Sequence, residues 1–238
     1  MVLNNNSASD GKMKRFPSDS EAKEMILDIG RRMYSKDFVA ANDGNITIKV
    51  GEDRIWATPT GVSKGFLHPE QLVLIDSQGN VIEGICKPSF EIKMHLRVYK
   101  ENEIVGAVVH AHPPVATAFA TANIKLDLAI LPDTIVTLGE VPVAPYALTG
   151  TDEVAESVAP FCKTHNAVLL ANHGALAWGK NIQEAFYRME SLEHYAKIIL
   201  INKYLIKQCN LLTDSQIDDL VKIRESFGTF SGGRPVGK

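Results

Sequence analysis

Two histidines one residue apart, His110 and His112, close an apolar run rich in β-branched residues at 104–112 (IVGAVVHAH). In a strand, side chains i and i+2 leave the same face, so the two imidazoles stand side by side on one wall. Neutral imidazole is a good ligand for zinc and similar divalent ions, and a metal is one reason to put two histidines in such a strand. The other reading is a pair of hydrogen-bonded polar residues at a strand end. His173 lies in Asn172-His173-Gly174, after a second apolar run at 167–171. It is a candidate third ligand, or a turn histidine that serves local backbone bonding. Glu91 falls in the first turn of a helix expected from Pro88-Ser89, where the helix dipole favours a carboxylate. A dipole-matched surface residue and a metal-adjacent acid/base both fit that position. Three imidazoles with one labile carboxylate would make a catalytic centre, because the carboxylate can yield its place to substrate.

Asp43-Gly44-Asn45 and Thr58-Pro59-Thr60-Gly61 are glycine-bearing turns with short hydroxyl or amide side chains. With Ser89 at a helix start they could build an anion cradle from backbone N–H groups and hydroxyls, or be three ordinary turns. His68, His95, His165 and His194 read as structural, with His95 one turn after Glu91 and able to pair with it. Cys86 and Cys162 read as buried hydrophobes, Trp56 and Trp178 as core.

The elements that must hold these groups follow from pattern. Ser18 and Glu21 form an S-x-x-E capping box, and Ala22, Met25, Ile26, Ile29 and Met33 recur at helical spacing behind it. Residues 45–50 and 54–58 flank Gly51-Glu52-Asp53, and 72–76 and 80–85 flank Ser77-Gln78-Gly79, which predicts two hairpins. Helices are expected from Pro88 to Lys100, after Pro113-Pro114, from Thr151 to about Lys163, from Asn181 with its stripe Ile182, Ala185, Phe186, Met189, Leu192, Ala196 and Ile199, and from Thr213. A short strand is expected at 141–145, and two more at 167–171 and 175–178 around the histidine turn. Hairpins interleaved with helices predict a single α/β domain with a partly antiparallel sheet and contradict a TIM barrel. Residues 1–15 are expected to be a flexible segment, 16–228 the domain, and 229–238 a loose tail.

Composition narrows the function classes. Of 238 residues, 45% are hydrophobic and 22% charged, which excludes intrinsic disorder. A net charge of -3 argues against nucleic acid or an anionic membrane as partner. No apolar run approaches the roughly 18 residues of a membrane span, and the polar N-terminus does not read as a secretory signal. The three cysteines, odd in number and far apart, form neither a disulfide framework nor a metal clip, so a cytoplasmic location is expected.

In this order the pieces resemble the class II aldolase/adducin family. The likeness runs from about Ala22 to Ile201 and rests on Gly44-Asn45, Thr58-Pro59-Thr60-Gly61, Lys87-Pro88-Ser89-Phe90-Glu91, Val108-Val109-His110-Ala111-His112, Ala144-Pro145-Tyr146 with Gly150-Thr151, and Asn172-His173-Gly174. It implies a three-layer α/β/α domain around a mostly antiparallel sheet, and a fourfold homotetramer with active sites between subunits. It implies Zn2+, or another divalent ion such as Mn2+ or Co2+, on His110, His112 and His173. Glu91 is implied as an acid/base that also touches the metal, and Asn45, Thr60, Gly61 and Ser89 as a phosphate cradle. The implied activity is a zinc-dependent aldehyde-lyase that cleaves a small ketose 1-phosphate through a metal-stabilised enediolate. An epimerase, dehydratase or decarboxylase of the same family is the alternative, and a non-catalytic adducin-like interaction domain a third. Three positions depart from the family pattern. Phe90 stands where phosphate-binding members carry a second serine. Leu131, with Asp133 nearby, stands where a neighbouring subunit supplies a tyrosine. No tyrosine follows Tyr204, and the tail offers Phe227, Phe230 and Arg234 instead.

Overall fold

The computed structural model describes residues 16–238; the segment 1–15, expected to be flexible, lies outside them. Ser18 caps the first helix, α1 (Asp19–Ser35), and the box with Glu21 is formed on both sides. Among the described residues eight strands follow: β1 (Asn45–Gly51), β2 (Arg54–Ala57), β3 (Val73–Ile75), β4 (Val81–Glu83), β5 (Ala107–Ala111), β6 (Val143–Ala144), β7 (Ala167–Leu170) and β8 (Gly174–Gly179). They make one sheet in the order β4-β3-β2-β1-β5-β8-β7-β6. All neighbours are antiparallel except β6 and β7, which are parallel. The remaining helices are α2 (Ile92–Glu101), α3 (Pro114–Thr121), α4 (Pro132–Thr137), α5 (Asp152–Val158), α6 (Ile182–Leu200) and α7 (Asp214–Ser226).

Strand alternation divides the interior into two apolar cores. Val109 and Ala111 of β5 join Ile26 and Ile29 of α1, Phe119 of α3 and Phe186 and Met189 of α6 on one face. Val108 of β5 and Leu176 of β8 join Met94 and Val98 of α2 and Val154 and Val158 of α5 on the other. The result is the expected α/β/α arrangement around a mostly antiparallel sheet. His110 follows Val108 at spacing two and so belongs to the face covered by α2. Among the described residues no helix is long and apolar enough to cross a membrane.

Three expectations are corrected. The helix predicted from Pro88 begins only at Ile92, with Glu91 as its N-cap residue. Ser89 N–H donates to Thr58 O and Thr60 N–H to Lys87 O, so the preceding residues are held extended against the Thr58–Gly61 turn instead. The helix expected to reach Lys163 ends at Val158; a 3₁₀ turn containing Pro160 follows, because proline has no N–H to continue the ladder. In the tail, Gly232 N–H donates to Thr164 O and its carbonyl accepts from Glu140 N–H, while Arg234 pairs with Asp214 and Asp218 of α7. Cys86 is half-buried where a buried thiol was expected, whereas Cys162 is buried.

Candidate metal centre and substrate cleft

Three adjacent strands bring the histidines together. Asn45 of β1 faces His110 across the β1–β5 pair, and Ala175 of β8 faces Ala111 across β5–β8. His110 is fully buried, and its Nδ1 donates to Ala175 O at 2.9 Å, which turns Nε2 toward the strand end. His112 stands one residue beyond β5, with Nδ1 3.3 Å from Asp43 Oδ2. His173 is carried by the turn into β8, where its N–H donates to Leu170 O and Asn172 adopts φ 57°. Asparagine tolerates that left-handed conformation better than most residues. Ring centroids are 4.7 to 5.0 Å apart in all three pairs.

Gly174 is part of this construction. A Cβ there would fall 2.5 Å from His112 Cδ2 and 2.6 Å from Ala111 O. Gly174→Ala is therefore expected to push His112 off its position. The cost is about 1–3 kcal/mol, read as a lowered denaturant midpoint at unchanged m-value.

The donor set fits a divalent cation. One ligand atom from each of His110, His112 and His173 lies within 4.8 Å of the other two. Nδ1 of His110 faces a carbonyl and Nδ1 of His112 a carboxylate, both of which only accept, so each Nδ1 carries the ring proton. The two Nε2 atoms, 3.1 Å apart, then present lone pairs to each other. That juxtaposition is repulsive until a cation lies between them. It is also close to the edge of a tetrahedron of zinc–nitrogen bonds, about 3.4 Å for bonds of about 2.05 Å. Burial lowers the pKa of His110 far below the usual imidazole value and that of His112 below it, which favours the neutral, ligating form.

Glu91 closes the fourth side. Its Oε1 is 3.0 Å from His173 Nε2 and its Oε2 3.4 Å from His110 Nε2. Asn45 Nδ2 donates to Oε2 at 2.9 Å and to Ser89 Oγ at 3.2 Å. Burial alone would raise the carboxyl pKa, but His110, His173 and Asn45 outweigh it and hold it at about 2. The group is an anion at neutral pH.

Asn45, Thr60, Gly61, Ser89, Glu91, His112 and His173 line one cleft of about 160 Å³. The structure thus brings together the residues predicted for metal, proton transfer and anion binding; His110 lies directly beneath, bonded as described. Phe90 is 58% exposed and also lines the cleft. Leu131 and Asp133, at the start of α4, do not line it, and neither do Phe227, Phe230 and Arg234. His95 does not hydrogen-bond Glu91: its Nδ1 meets Thr47 Oγ1 at 2.9 Å, and Thr47 in turn meets Tyr99 OH.

Sequence reasoning missed Lys64. Its side chain is 1% exposed and lines the cleft, and Nζ donates to Asn42 O and Val62 O. Burial lowers its pKa to about 8 against the opposing pull of Asp43 and Glu91. Nothing in the local stretch Val62-Ser63-Lys64-Gly65 marks a buried lysine, since α1 covers it from elsewhere in the chain. The contact of Asp43 with His112 was also missed, although Asp43 lay in a turn singled out for its neighbours.

Fold and site together define an α/β domain with a candidate three-histidine metal centre in a cleft at the end of a three-strand junction. Residues 24–200 match the profile of the Class II Aldolase and Adducin N-terminal domain. The chain is 33% identical over 207 residues to a 3-oxo-tetronate 4-phosphate decarboxylase of Haemophilus influenzae, covering 85% of this chain and 97% of that one. It is 35% identical over 208 residues to a 5-deoxy-D-ribulose 1-phosphate aldolase of Bacillus thuringiensis, covering 87% and 96%. A solved structure of L-fuculose 1-phosphate aldolase superposes with a TM-score of 0.80 at 30% identity, covering 90% of this chain and 99% of that one. The chain belongs to the class II aldolase and adducin family, and it is an enzyme of the class II aldolase type rather than a non-catalytic interaction domain.

Proposed function

We propose that the chain is an aldehyde-lyase acting on a small ketose 1-phosphate. His110, His112 and His173 would hold one divalent ion, zinc by the chemistry of an all-imidazole set, with Glu91 beside it. Bound there, the ion supplies Lewis acidity for the negative charge that develops when the carbon–carbon bond breaks. Glu91 moves the proton: it returns one to the ketose-derived fragment in cleavage and removes one in the condensation direction. Ser89, Thr60, Gly61 and Asn45 receive the phosphate. The observation that carries this reading is the position of Glu91, whose two oxygens reach His173 and His110 inside the cleft that the cradle residues line.

Phe90 favours a second reading. A bulky ring beside Ser89, where a hydroxyl is the family pattern, changes the shape of the anion pocket, and one relative covered over 97% of its length is a decarboxylase. Zinc-loaded protein assayed against a panel of ketose 1-phosphates and 3-oxo-tetronate 4-phosphate separates the two. Aldehyde release from at least one ketose 1-phosphate is expected. Carbon dioxide from the oxo acid with no aldehyde from any ketose would replace the aldolase reading by the second one.

The same proposal includes a domain over 16–228, a cytoplasmic location, and a fourfold homotetramer with active sites between subunits. The tetramer is supported by exposed apolar side chains that a partner would cover, among them Leu205 and Phe227 at 71% each. Light scattering on the eluted protein is expected to give four times the chain mass.

A further inference from the structure

The turn ahead of β1 touches three members of the centre at once. Asp43 Oδ2 lies 3.3 Å from His112 Nδ1. Asn45 Nδ2 donates to Glu91 Oε2, and Asn45 itself faces His110 across the sheet. The turn is fixed from below. Asp43 N–H donates to Ala40 O, and Gly44 at φ 73° lies so close to β5 that a Cβ would fall 2.8 Å from His110 O. The Asp43 carboxylate is therefore placed by backbone that abuts the strand bearing His110.

A neutral imidazole ligates only through the nitrogen that lacks the proton, and the partner of the other nitrogen decides which one that is. For His110 the partner is Ala175 O, a main-chain group that no substitution removes. For His112 it is a side chain. A carboxylate there holds the proton on Nδ1, aims the ring, and makes Nε2 a stronger base.

We propose that Asp43 is a positioning residue of the metal centre: its carboxylate fixes the tautomer and orientation of His112 and thereby sets the affinity for the divalent ion. The inference rests on the reading of the three imidazoles as the ligand set. It assigns Asp43 no contact with substrate.

The test uses the full chain and zinc alone. Zinc dissociation constants are measured by chelator competition for wild type, Asp43→Ala and Asp43→Asn, and the 15N shifts of the His112 ring are recorded in the zinc-free proteins. Asp43→Ala is expected to raise the dissociation constant about 10–100-fold and to show mixed tautomers on His112. Asp43→Asn is expected to lose less, because its amide oxygen still accepts from Nδ1. The zinc-free variants are expected to melt with wild type, since the Asp43 side chain is 42% exposed. Unchanged zinc affinity in Asp43→Ala overturns the proposal, as does weakened affinity with the His112 tautomer unaltered. A wild-type chain that binds no zinc overturns the ligand set itself, which is a different and distinguishable failure.

Discussion

His112→Ala is expected to remove the bound divalent ion and lower turnover by about 10³-fold or more, while the fold stays near wild-type stability. The loss follows from the several kcal/mol of charge stabilisation that a Lewis acid supplies, each 1.36 kcal/mol being a factor of ten. The sparing of the fold follows from position. His112 lies beyond the end of β5 and its side chain is 24% exposed, while the strand is anchored by Val108, Val109 and Ala111. Removing the ring also relieves the 3.1 Å approach of its Nε2 to that of His110. Zinc-free His112→Ala should therefore melt no lower than zinc-free wild type. Added zinc should raise the wild-type midpoint, because a ligand bound only by the folded state stabilises it, and should leave the variant where it was. Metal analysis, melting with and without zinc, and turnover check the three parts. An unloaded variant with full activity would remove the metal from the chemistry.

The reach of the sequence is visible at particular residues. The pairing of His110 with His112 was legible because strand period two is a local rule that needs no tertiary knowledge. The arrival of His173 was not, since it depends on β8 lying next to β5, a pairing between segments some sixty residues apart that no local pattern encodes. The motif Asn172-His173-Gly174 did carry its own physics: a left-handed Asn, and a glycine whose missing Cβ leaves room for the His112 ring. Glu91 was placed within one turn of its true position, but as a helical residue rather than a cap. The error came from treating Pro88 as a helix start when its neighbours had stronger partners in the Thr58–Gly61 turn. Lys64 was illegible because its burial is decided by α1 and by the distant carbonyl of Asn42, and the nearby carbonyl of Val62 carries no mark in the sequence. Local periodicity thus exposed the walls of the site, and long-range packing decided what they enclose.

Glu91→Gln is expected to keep the metal and lose the proton. The amide is nearly isosteric and its oxygen can still accept from Asn45 Nδ2, so the side chain keeps its place beside Ser89 and His173. What disappears is a carboxylate that is ionised at neutral pH and points into the cleft. General acid–base catalysis by a positioned group contributes about 10²–10⁴-fold, and turnover should fall within that range. The sharper measurement is deuterium uptake from heavy water into dihydroxyacetone phosphate. That exchange needs only removal and return of the proton, with no second substrate, so it isolates the step assigned to Glu91. Zinc content near wild type with exchange abolished is the expected pair of results. The aldolase and decarboxylase readings both require a proton to be delivered to the carbon that loses its neighbour, so this variant tests what they share rather than which is right. If exchange persists at the wild-type rate, another group moves the proton. Lys64 is then the candidate, since among the described residues it is the one lysine or arginine that lines the cleft, with a pKa lowered to about 8.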